Sequence, residues 1–196
     1  MKSKIDFFNS VAGTWDESCS HDMAKVEYIL DLIGIKSGDC ILDVGTGTGI
    51  LIPSLYERVT QLGSIKGIDV AKKMIEVAQQ KYKYDNVVFK CEDALNTDDK
   101  SKYDHIICYS MFPHFQCRKS EAVKILAQKL KIGGKLTICH SQSREDINNL
   151  HKRADEIVKE DNLPTMAVMR EYFLDAHLKV LEEIDNKDMF VIIGCR

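Results

Sequence analysis

Ile41-Leu42-Asp43-Val44-Gly45-Thr46-Gly47-Thr48-Gly49 is the stretch that decides the fold of this chain. Its first half, with Cys40 ahead of it, is a short apolar run entered from Ser37-Gly38-Asp39. A run of that kind closed by glycine reads as a buried strand. Its second half is rich in glycine, and Ile50 to Val59 beyond it has helical apolar spacing, with Gly63 ending the pattern. In the order strand, glycine turn, helix, a ligand can approach bare backbone while the helix N-terminus presents free N–H groups. Taken alone, the glycine run suits a dinucleotide as well as another adenosine ligand.

Working outward, further strand signals fall at Ile65 to Val70, Val87 to Cys91, Tyr103 to Tyr109 and Lys135 to His140. Helical signals fall at Lys72 to Lys83 and about Ser120 to Leu130, the latter stopping at Gly133-Gly134. The polar run Asn96 to Lys102 reads as a loop whose charges are solvated. Fully apolar strands alternating with helices predict a parallel sheet covered on both faces. The final third breaks that rhythm. Helical patterns over Arg144 to Lys159 and Met166 to His177, with Pro164 between them, are followed by strands at Lys179 to Ile184 and Met189 to Gly194. Only Asp185-Asn186-Lys187-Asp188 separates these two strands, too little for a crossover helix, so they must form an antiparallel hairpin.

The bulk properties narrow the function. A chain of 196 residues, 44% hydrophobic and 29% charged, has room for one domain with a full core (residues 1–196). A net charge of −3 leaves no positive excess to neutralise a phosphate backbone, which argues against a nucleic-acid partner. No apolar segment follows the first residues, and no run approaches the roughly 18 apolar residues of a membrane span, so no membrane partner is expected. The seven cysteines are odd in number and never spaced C-x-x-C, and several lie in apolar strand-like runs. They read as reduced core residues of a cytoplasmic protein.

Two acids extend the ligand pattern. Asp69 stands at the carboxyl end of the second strand, 20 residues past Gly49. A carboxylate there can accept both hydroxyls of a ribose, although it can also simply cap the next helix. Glu92-Asp93-Ala94-Leu95 follows the third strand directly. Asp93 can accept from an adenine amino group while Ala94 and Leu95 cover the ring, or it can be a solvated turn residue.

With these elements in strand order, the chain resembles the class I S-adenosylmethionine-dependent methyltransferase family. The signatures are Ile41 to Gly49, Gly67-Ile68-Asp69-Val70, Cys91-Glu92-Asp93-Ala94, Tyr103-Asp104-His105-Ile106-Ile107 and Leu130 to Leu136, and the resemblance covers roughly residues 28 to 196. It implies a Rossmann-like three-layer α/β/α sandwich with a seven-stranded, mostly parallel sheet and an antiparallel C-terminal strand hairpin. It implies S-adenosyl-L-methionine as cofactor. Asp43 would orient the loop and the methionine amino group, Gly45, Thr46, Gly47 and Gly49 would approach the cofactor, Asp69 with Val70 would hold the ribose, and Asp93 with Ala94 the adenine. Thr46 stands where many relatives carry cysteine or another small residue, and its side chain need only be small.

Methyl transfer is an in-line displacement at a sulfonium, so the protein mainly positions the reactants and needs a base only if the acceptor carries a proton. Candidates for that role lie after the fourth and fifth strands: Tyr109, Ser110 and His114, then His140 and Ser141, with His140 best placed. Each histidine has a structural alternative. Imidazoles at His114, His140 and His151 suit a soft metal if they converge, although the adopted reading assigns no metal. Ser141 to Leu163 is longer than a minimal connection, and Ser143-Arg144-Glu145-Asp146 resembles a capping signal. A lid over residues 141–163 would bring Arg144 and His151 to the substrate, and an N-terminal cap over residues 1–27 would close through Trp15. The sequence lacks an Asn-Pro-Pro-Tyr type motif for holding a base. The expected function is methyl transfer to a small molecule, with a non-catalytic S-adenosylmethionine-binding protein or a nicotinamide-dependent oxidoreductase as alternatives.

Overall fold

Alternate side chains of a strand point to opposite faces, so a strand apolar at every position must be covered on both. In the computed structural model, which describes residues 3–97, 99–153 and 158–196, the central strands obey this rule. On β1 (Cys40–Val44) and β4 (Tyr103–Tyr109), Leu42, Val44, Ile106 and Cys108 join a core on one face, while Ile41, Ile107 and Tyr109 join a core on the other. Helices α3 (Met23–Ile33), α4 (Ile52–Val59) and α5 (Lys72–Lys81) contribute to the second core, and α6 (Lys119–Gln128) and α8 (Met166–Asp175) to the first.

With β2 (Ser64–Asp69), β3 (Val87–Cys91), β5 (Leu130–His140), β6 (Lys179–Asp185) and β7 (Phe190–Cys195), the sheet has seven strands in the order β3-β2-β1-β4-β5-β7-β6. The first five pair in parallel, and β7 runs antiparallel to both β5 and β6. The three-layer sandwich and its reversed hairpin therefore stand as expected. β1 pairs with β2 on one side and β4 on the other, so the winding reverses at β1 and a crevice opens above its carboxyl end.

Helix starts follow local chemistry. Asp22 caps α3 by accepting from Lys25 N, and Gly34 ends it at φ 72°. Ser143 Oγ accepts from Asp146 N at 3.0 Å ahead of α7 (Arg144–Arg153), so the capping signal there is real. The residues before the sheet fold as two further helices, α1 (Lys4–Val11), opened by a Ser3/Asp6 capping box, and the single turn α2 (Trp15–Ser18).

Two expectations need correction. Gly133-Gly134 does not separate a helix from a strand but lies inside β5, where the pairing with β4 shifts register between Tyr103 and His105. Nor are the charges of residues 96–102 all solvated. Asp99 accepts from Lys66 Nζ and from the Tyr103 hydroxyl, each at 2.7 Å, and these partners outweigh burial to hold its carboxyl far below the usual range. The expected helix from Arg144 to Lys159 is helical to Arg153, residues 154–157 lie outside the described part, and residues 158–160 form a turn rather than helix.

Candidate active site

The crevice above β1 is an open cleft. Val44, Gly45, Thr46, Gly47 and Thr48 form its floor, Ile68, Asp69 and Val70 one side, and Glu92, Asp93 and Ala94 continue that side. Tyr109, Ser110, Met111, His114 and Phe115 close the other side, and Phe8, Trp15 and His21 reach in from the N-terminal segment.

Backbone geometry dictates the floor. Gly45 holds φ 69°, and a Cβ on it would lie 2.6 Å from Met111 Cγ, so this turn admits only glycine. Gly47 holds φ 55° with nothing within 4 Å of where its Cβ would point, which leaves its backbone bare. Gly49 is outside the cleft lining and packs instead toward the Tyr82 ring.

Asp69 Oδ2 accepts the Gly47 N–H at 3.1 Å, and Oδ1 accepts the Ala71 N–H at 2.8 Å. The carboxylate thus ties the glycine loop to the end of β2 while still lining the cleft, and burial raises its pKa. Asp43 stands behind the wall, 2% exposed, with Oδ2 lacking a partner. Burial, reinforced by the neighbouring Asp69 charge, pushes its carboxyl up to about 7. Asp93 is a turn residue that also lines the cleft. Its oxygens accept from Leu95 N at 2.9 Å and Asn96 Nδ2 at 2.6 Å, and that turn holds the carboxylate at the cleft wall.

The candidate bases separate. Tyr109 and His114 line the cleft, but His140 does not. His140 is 1% exposed, neither ring nitrogen has a partner, and burial above all lowers its pKa to about 3. As the last residue of β5 it points into the protein, which corrects the expectation that it faces substrate. Arg144 likewise turns away, donating from Nε to Asp185 Oδ2 at 3.0 Å, outside the cleft lining. His151 accompanies His114 at 5.3 Å between ring centroids, and its Nδ1 lies 2.8 Å from the Asp161 carbonyl oxygen. Among the described residues no group of three or more histidines, cysteines and acids is arranged to hold a metal ion.

Two residues absent from the sequence reading complete the site. His21 Nδ1 lies 2.8 Å from the Tyr109 hydroxyl, which shares a second 2.8 Å hydrogen bond with Ser141 Oγ. The Asp161 side chain is fully buried, pairs with Lys4, and meets His114 Nδ1 at 2.6 Å. Neither carries a local signal, because each acts on a partner far along the chain.

A glycine-floored cleft at the switch point, with carboxylates after β2 and β3, matches one family over most of the chain: a methyltransferase-domain model fits residues 35–186. The chain belongs to the methyltransferase-domain family. It is 34% identical over 131 residues to malonyl-[acyl-carrier protein] O-methyltransferase of Acetivibrio thermocellus, covering 66% of this chain and 46% of that relative, so it spans less than half the relative's length. Among solved structures, an S-adenosylmethionine-dependent methyltransferase from Aquifex aeolicus superposes with a TM-score of 0.73 at 19% identity, over 95% of this chain and 97% of that one. Magnesium protoporphyrin IX methyltransferase of Synechocystis, solved with S-adenosylmethionine bound, superposes with a TM-score of 0.65 at 17% identity, over 100% and 85%. These two likenesses show that the chain shares their fold. Among the described residues no helix is long and apolar enough to cross a membrane.

Proposed function

We propose that this methyltransferase-family protein moves a methyl group from S-adenosylmethionine to a small-molecule acceptor. The observation that carries the reading is the Asp69 carboxylate, held at the cleft wall by the Gly47 and Ala71 N–H groups beside a bare glycine backbone. A ribose needs an acceptor of that kind in that place. The other residues fit the rest of the cofactor. Asp93 and Ala94 form the slot for adenine. When bound, the cofactor supplies an activated methyl on sulfur. The chain supplies position, and it excludes water through the cap formed by Phe8 and Trp15. A small acceptor suits a cleft that Phe8, Trp15 and His21 of the N-terminal segment cover. Seven unpaired cysteines support a reducing, cytoplasmic setting.

Calorimetry of the full chain with S-adenosylmethionine, S-adenosylhomocysteine and NAD tests the reading. Binding of the first two without NAD is expected, whereas tight NAD binding with no response to the others would overturn it. Labelled methyl transfer into a metabolite pool then separates an enzyme from a binding protein.

A further inference from the structure

We propose that His21 is the general base of this transfer and that the acceptor is an uncharged, planar compound methylated on a hydroxyl group. The proposal rests on the methyl-transfer reading and deepens it.

The geometry starts from the chain His21, Tyr109, Ser141, whose members come from the segment between α2 and α3, the end of β4 and the residue after β5. His21 and Tyr109 both line the cleft. Because Nδ1 of His21 is engaged by the Tyr109 hydroxyl, Nε2 is the nitrogen left for a ligand. Ser141, 6% exposed, fixes the far side of that hydroxyl, and Tyr109 is thereby a positioning residue for the imidazole. Burial lowers the His21 pKa, which keeps the ring neutral and able to take a proton, while burial raises that of Tyr109, which keeps its hydroxyl protonated. The charged group that acts on the imidazole is Asp16 from α2, already hydrogen-bonded to Thr48 Oγ1 and Lys81 Nζ, while Cys19 and the helix cap Asp22 neighbour it along the chain. His114 is the other cleft histidine, but its ring is flanked by Phe8 at 5.2 Å and His151 at 5.3 Å and its Nδ1 is held by Asp161. The rings packed against it, not the Asp161 bond, set it in the wall, and the His114→Gln variant separates the two histidines.

The lining selects the acceptor. Phe8, Trp15, Met111 and Phe115 offer apolar and aromatic surface suited to a flat body. The ionisable acids of the lining are Asp69, Glu92 and Asp93, and among the described residues no lysine or arginine lines the cleft. A carboxylate or phosphate acceptor would therefore find no cationic side chain to pair with. Of the acceptors that remain, a neutral amine attacks with its own lone pair and a thiol ionises readily. A hydroxyl needs a base in the transition state. In the step, an oxygen lone pair forms the bond to the methyl carbon, the carbon–sulfur bond breaks with its pair staying on sulfur, and the hydroxyl proton passes to His21 Nε2 and on to water.

The test begins with S-adenosylhomocysteine calorimetry on the full chain, since failure to bind there removes the methyl-transfer reading as a whole. With that complex formed, 4-ethylphenol and 4-ethylbenzoate are titrated while the labelled His21 imidazole is followed by NMR. Binding of the phenol at least tenfold tighter than the benzoate, with a shift at Nε2, is expected. Equal or tighter benzoate binding, no phenol binding, or an unmoved His21 signal overturns the proposal. In turnover, His21→Gln is expected to slow transfer to 4-ethylphenol by roughly 10²–10⁴-fold. The same variant should slow transfer to the more acidic 4-nitrophenol, which ionises unaided near neutral pH, by less than tenfold, with S-adenosylhomocysteine affinity unchanged. Equal losses on both phenols, no transfer to 4-ethylphenol by the wild type, or the same selective loss in His114→Gln instead would each overturn the assignment.

Discussion

Asp69 Oδ2 and the backbone N–H of Gly47 lie 3.1 Å apart, so the residue that ends β2 is also the one that sets the loop after β1. The two halves of the cofactor cleft are thus one unit. Asp69→Ala removes a charge-assisted acceptor from the ribose position and is expected to weaken S-adenosylmethionine binding by about 1.5–3 kcal/mol. Calorimetry reads this directly. Unchanged affinity would make Asp69 a purely local tie between β2 and the glycine loop.

Gly45→Ala tests the floor. The left-handed conformation costs a non-glycine residue roughly 1–2 kcal/mol, and the added Cβ would stand 2.6 Å from Met111 Cγ and 2.7 Å from Met111 Cβ, atoms close to the backbone that cannot simply swing away. A lowered melting temperature together with lost cofactor binding is expected. Gly47→Ala, with open space around its Cβ, carries the backbone strain without the clash and should lose less stability. Thermal unfolding of the two variants side by side checks the ordering.

The central strands were legible because both faces of the sheet are buried there, which makes Tyr103 to Tyr109 stand out as a run with clean ends. The glycine loop and its two acids were legible for a similar reason, since backbone approach restricts residue type within a few positions. His21 and Asp161 were not. His21 meets Tyr109 across 88 residues, and Asp161 meets His114 across 47, so tertiary packing alone gives them meaning. His140 failed in the opposite sense: its place at a strand end was right, but a strand end has two faces and the sequence does not say which one meets the cleft.

Asp161 joins the N-terminal helix to the cleft through Lys4 and His114. Burial opposes its ionisation, but these two partners outweigh it and hold the carboxyl below its ordinary value of 3.8. A carboxyl depressed in the folded state contributes stability that is present above the unfolded value and lost as pH falls through the folded one. Asp161→Asn is therefore expected to cost about 1.5–3 kcal/mol at neutral pH. The gap from wild type should close as pH falls below 3.8, as denaturant titrations at several pH values would show. A constant gap would mean that shape, not charge, matters there.

His140 acts in the same direction for a different reason: its charged form is excluded by burial. Its folded pKa of about 3 lies below its ordinary 6.5, so between these values the unfolded chain binds the proton that the folded protein refuses. Stability is full above the upper value and falls as pH drops through the window, at about 1.4 kcal/mol per pH unit. Because neither ring nitrogen has a partner, replacing the imidazole with an apolar ring removes this sensitivity without breaking a hydrogen bond. His140→Phe is expected to unfold with near wild-type stability at neutral pH and to be the more stable protein at pH 4–5. Denaturant midpoints for the two proteins across that range decide the matter. Parallel curves would show that His140 is not the acid-sensitive group, and a large loss at neutral pH would show that its nitrogens are held after all, by bound water.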